Sequence, residues 1–77
     1  MQQEHLELIF RQGFEVRRGE ETLGPGLFET SLLEMGYEKR LLRNLVHEGK
    51  LMKTTTRFKG GWRNTYVLLG FKERGKQ

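Results

Sequence analysis

"YEKRLLRNLVHEGKLMKTTTRFKGGWRNTYVLL" runs from Tyr37 to Leu69, and its hydrophobic period changes part-way along. In the first part, steps of about 100° per residue, the angle behind a helical turn, put Leu41, Leu42, Leu45 and Val46 within one half-turn of arc. That spacing predicts a helix over 37–49 with those four side chains facing a core. The opposite arc holds Arg40, Arg43 and His47, flanked by Lys39 and Asn44. Glu38 falls on the core side. At the first turn, past the core edge, its carboxylate suits the positive end of the helix dipole. Gly49 supplies the stop. After it, "KLMKTTTRF" and "WRNTYVLL" are rich in the Thr, Val, Leu and aromatic residues that suit strands. "KGG" between them reads as a turn, so 51–69 is predicted to be a β-hairpin.

Upstream, Leu6, Ile9 and Phe10 have the spacing of one apolar helical stripe, and a helix is expected over 2–12 with Gly13 as its stop. "GFEVRRGEETLGPG" (13–26) holds four glycines and the single proline. It is expected to be loop, with a possible short strand near 14–17 through Phe14 and Val16. Helical spacing resumes at 27–35 through Leu27, Phe28, Leu32 and Leu33, with Pro25 suited to the approach to a helix start. Gly36 then makes a tight turn. The polar tail 72–77 is expected to fray.

Seventy-seven residues make one domain, 1–77, of the size that buries roughly 60% of the surface its unfolded chain exposes. The absence of cysteine excludes disulfides and thiolate metal sites. No apolar run approaches the roughly 20 residues that span a bilayer. The N-terminus has no basic stretch and does not read as a signal peptide. A cytoplasmic location is the expectation, nucleoid-associated in a bacterium or nuclear in a eukaryote. The net charge of +4 is unevenly spread. Residues 1–35 carry three bases against seven acids, residues 36–77 eleven bases against three acids. One domain with this segregation should have a positive face.

Catalysis has little to work with. No Ser-His-Asp or Cys-His arrangement can be built from these residues, and no metal-ligand spacing occurs. "GPGLFETS" has neither the lysine nor the spacing of a phosphate-binding loop. The expectation is a non-enzyme with no cofactor, no small-molecule substrate and no membrane partner.

"RLLRNLVHEGKLMKTTTRFKGGWRNTYVLL" (Arg40–Leu69) resembles the end of the recognition helix, the Leu45…Glu48-Gly49…Leu51 exit, and the wing of the winged helix-turn-helix superfamily. As an order of elements the resemblance covers about 2–70. At residue level it runs from about Leu27 to Leu69. It implies an α+β fold, three helices followed by a two-stranded hairpin wing. The long glycine-rich 13–26 departs from the shorter connection of many members. The resemblance also implies double-stranded DNA binding, with helix 37–49 in the major groove and the hairpin 51–69 on the backbone or minor groove, as in a small transcriptional regulator or a plasmid or phage accessory factor.

The residue chemistry points the same way. Arginine forks match guanine O6 and N7, and asparagine pairs with adenine. Lys39, Arg40, Arg43, Asn44 and His47 are therefore the candidate base or groove contacts. Lys50, Lys53, Arg57, Lys59 and Arg63 suit phosphates, and Trp62 suits a sugar or groove edge. The rival reading of Trp62 is an indole folded under the hairpin as a core cap. Arg17 and Arg18 are weaker candidates for a backbone contact from the other flank. The acidic N-terminal helix is a candidate surface for a homodimer or a protein partner. A protein–protein module and an RNA-binding module are the alternative functions.

Overall fold

The computed structural model describes residues 3–70; the tail expected to fray at 72–77 lies outside the described residues. The order of elements is α1 (Gln3–Phe10), β1 (Phe14–Arg18), β2 (Glu21–Phe28), α2 (Glu29–Glu34), α3 (Lys39–His47), β3 (Leu51–Phe58) and β4 (Gly61–Leu68). The four strands form one antiparallel sheet in the order β1-β2-β4-β3. No helix among the described residues is long and apolar enough to cross a membrane.

This architecture corrects the expected winged helix-turn-helix. The chain does not close three helices with a two-stranded hairpin. Strand residues outnumber helical ones, and the hairpin is half of a four-stranded sheet. The short strand near 14–17 exists as β1, but its partner β2 occupies the stretch expected to be loop. The reason lies in what the glycines do there. A Cβ at Gly26 would lie 2.4 Å from Val16 Cγ2 and 3.2 Å from the Tyr66 carbonyl oxygen. A Cβ at Gly13 would lie 2.1 Å from the Gly26 carbonyl oxygen. These glycines let backbones approach, a role that reads as loop when only composition is visible. Pro25 is tolerated because pairing between β2 and β4 begins one residue later, at Gly26↔Val67.

The same strand shortens the second helix. Leu27 and Phe28 do not share a helical stripe; they alternate across β2. Leu27 lies opposite Tyr66 and enters the core, and Phe28 turns to the other face opposite Thr65. Helix α2 therefore begins at Glu29 and has six residues.

The main core lies between the helices and one sheet face. It joins Leu6, Phe10, Leu32, Leu42 and Leu45 of the helices to Leu27, Leu51, Tyr66 and Leu68 of the sheet. Leu42 and Leu45 are buried and Leu41 and Val46 partly so, as the helical wheel of 37–49 requires. The alternate strand residues make a smaller cluster on the opposite face. Val16 and Val67 are buried there, and Phe14, Phe28 and Phe58 follow one another with ring centroids 4.8 and 5.2 Å apart and ring planes tilted by 47° and 60°.

Two ends near the site are well determined. Helix α3 closes with Gly49 N–H on the Val46 carbonyl and Lys50 N–H on the Leu45 carbonyl, around a Gly49 φ of 81°. That paired closure needs a left-handed residue, which glycine supplies without a Cβ penalty. The β3–β4 hairpin turns on Lys59 (φ 54°) and Gly60 (φ 82°), with Phe58 paired to Gly61. Two successive positive φ values are what a two-residue turn needs to match strand twist.

Candidate nucleic-acid interface

Helix α3 buries Leu42 and Leu45 against the sheet, and this fixes what it presents outward. Lys39, Arg40, Arg43, Asn44 and His47 are all exposed. Glu38, the expected misfit, is the N-cap residue, exposed and outside the helical arc. Among the described residues the ion pairs are Arg17–Glu15 at 3.9 Å and Lys50–Glu48 at 3.6 Å. Among the described residues no carboxylate forms an ion pair with the α3 cations. Lys50 is half-buried and tied to Glu48, which makes it the weakest of the hairpin-side candidates.

The strand register divides the remaining candidates. Lys53, Arg57 and Trp62 are an even number of residues along their strands from the core residues Leu51, Tyr66 and Leu68, so they project from the same, helix-bearing face. Lys59 is at the turn. Arg63 pairs with Thr56 and projects from the opposite face, with its guanidinium 5.8 Å from the Phe28 ring centre and 5.3 Å from that of Phe58. Sequence reasoning placed all of these on one interface; the sheet sends Arg63 to the other side of β4.

Trp62 is 69% exposed, opposite Arg57, whose guanidinium lies 5.9 Å from the indole centre. The indole is not a core cap. Holding an aromatic of this size in water is unfavourable by itself, since its burial is worth more than that of most side chains. Arg17 and Arg18, the weaker candidates, are engaged within the fold. Arg17 faces Glu15, and Arg18 donates from Nη2 to Thr54 Oγ1 at 3.0 Å, linking the two edge strands.

Three residues that sequence reasoning missed hold the site together. The Tyr66 hydroxyl donates to Glu29 Oε2 at 3.1 Å, and Asn64 Nδ2 donates to Glu29 Oε1 at 3.3 Å. One carboxylate at the start of α2 thus ties that helix to the middle of β4. Burial raises the Tyr66 pKa, as does the bond to Glu29, while the positive charge of Arg43 opposes the rise. No local pattern could reveal this cluster, because its partners are 35 or more residues apart. Among the described residues no group of three or more His, Cys, Asp or Glu could hold a metal ion.

No family model, curated protein or solved structure matches this chain. The functional reading rests on the geometry just described.

Proposed function

We propose that this protein binds double-stranded DNA through the outward arc of α3, with the β3–β4 hairpin lying along the neighbouring backbone. The observation that carries the reading is the α3 surface. Lys39, Arg40, Arg43, Asn44 and His47 form an exposed arc free of carboxylates, on a helix anchored from behind by Leu42 and Leu45. Nine residues give a helix of about 13 Å at about 1.5 Å per residue. The major groove, about 12 Å wide, admits a single helix of this kind. Lys53, Arg57 and Trp62 share the helix-bearing face of the sheet, and Lys59 extends the charge to the hairpin end. Phosphates along one strand are the natural complement to such a row. A chain of this kind acts by occupying DNA, as a regulator or an accessory factor, without chemistry of its own.

The test is the pair Arg40→Ala and Arg43→Ala in duplex binding as a function of salt. Each substitution should weaken binding and reduce the slope of log K against log salt by about 0.9 if it removes one phosphate contact. A larger loss on one base sequence than on others would mark a base contact. If both variants bind duplex DNA as the parent does, at every salt concentration, α3 is not the interface.

A further inference from the structure

Strand β4 is unequally paired along its length. β3 accompanies it to Gly61, but β2 leaves it at Thr65, where the chain turns into α2. On the β2 side, Gly61 to Asn64 have no neighbouring strand among the described residues. A cleft of about 460 Å³ occupies that position, against Glu29, Phe58, Lys59, Trp62, Arg63 and Asn64. The volume falls in the range of about 300–1,000 Å³ typical of small-ligand sites. Phe58, 39% exposed, and Arg63 reach the cleft from one face of the sheet and Trp62, 69% exposed, from the other, so two exposed aromatic rings and the cations Lys59 and Arg63 surround the open strand edge. Lys59 Nζ stands 5.3 Å from the Phe58 ring centre and the Arg63 guanidinium the same distance away. The one carboxylate in the wall, Glu29, already accepts bonds from Tyr66 and Asn64.

A planar π-system attached to a phosphate matches this combination. Aromatic rings and guanidinium planes stack on bases, ammonium and guanidinium groups pair with phosphate, and an open strand edge offers backbone groups to a base edge. A stacked base inside a duplex presents neither face. We propose that the cleft at the open edge of β4 takes an unpaired nucleotide, so that the protein prefers DNA carrying a bulge or a single-stranded step over a perfect duplex. This rests on the duplex-binding reading and adds a substrate class to it.

The experiment compares a perfect duplex, the same duplex with one unpaired thymidine, and an eight-nucleotide oligothymidine, by Trp62 fluorescence. The expected result is binding at least about five-fold tighter for the bulged duplex, the low end of what one stacked base contributes, with a change in indole emission. Phe58→Leu removes an aromatic wall, and Thr30→Tyr, at an exposed position lining the cleft, fills it. Either should bring the preference within two-fold while leaving perfect-duplex binding unchanged. Using both keeps the test decisive if one variant folds poorly. Equal binding of bulged and perfect duplexes, or a preference that survives both variants, overturns the proposal. If the perfect duplex does not bind but the oligothymidine does, and Phe58→Leu abolishes it, the cleft stands and the duplex-binding reading fails. If no DNA binds, both fail.

Discussion

Gly26→Ala is the substitution that most directly probes how this sheet is assembled. The residue lies on β2 opposite both Phe14 of β1 and Val67 of β4, at the centre of the smaller apolar cluster. Its added methyl would sit 2.4 Å from Val16 Cγ2 and 3.3 Å from Thr65 Cγ2, and 3.2 Å from a backbone oxygen that cannot rotate away. Overpacking of this kind costs about 1–3 kcal/mol. Alanine also restricts the unfolded chain, which returns about 0.4–1 kcal/mol. The net loss should be about 1–2 kcal/mol. For a domain of this size it corresponds to a fall in Tm on the order of 10 °C. Urea denaturation gives the number directly. Val16→Ala supplies the control, because it removes the methyl that the new Cβ strikes. In the double variant the clash is relieved, so the combined loss should be smaller than the sum of the single losses by about 1 kcal/mol or more. A neutral Gly26→Ala, or strict additivity with Val16→Ala, would refute the packing of β1 on β2 described above.

Other expectations follow from single contacts. Because the folded-state pKa of Tyr66 lies above its ordinary value of 10.0, the unfolded chain loses that proton first as pH rises. The contribution of Tyr66 is therefore complete below pH 10.0 and is lost as pH climbs through the raised value, so stability should fall more steeply on the alkaline side for the parent than for Tyr66→Phe. The same variant at neutral pH should lose about 1–3 kcal/mol in denaturation, since it removes a donor to a carboxylate. Trp62→Ala should leave stability within about 0.5 kcal/mol, as expected for a side chain 69% exposed, yet weaken duplex binding. A destabilised Trp62→Ala would show that the indole has a structural role.

The parts of the fold legible in the sequence are those whose signals are local. Leu41, Leu42, Leu45 and Val46 declare the buried side of α3 by spacing alone, and the same spacing leaves its cations outside. Thr, Val and aromatic runs on either side of Lys59–Gly60 declare the hairpin. What could not be read is set by contacts between distant segments. Gly26 looks like a turn residue until Val16 and Tyr66 are placed against it, and Leu27 with Phe28 look helical until one is seen to face the core and the other the opposite face. The bonds from Tyr66 and Asn64 to Glu29 join residues with no shared pattern. For the candidate interface, the list of cations was legible but their sides were not. Only the register shows Arg63 parting from Arg57 and Trp62.

Trp62 is the single tryptophan, so its emission reports on the hairpin without a label. The decisive measurement follows that emission while perfect duplex DNA, single-stranded DNA and duplex RNA are each titrated in at several salt concentrations. The account predicts that duplex DNA binds more tightly than duplex RNA and moves the emission. It also predicts that log K falls with log salt as for about four to seven phosphates, at about −0.9 per contact. Emission unchanged by duplex DNA at low salt, with no binding detected by an independent method, would contradict the central claim. The positive surface of α3 would then belong to an acidic protein partner.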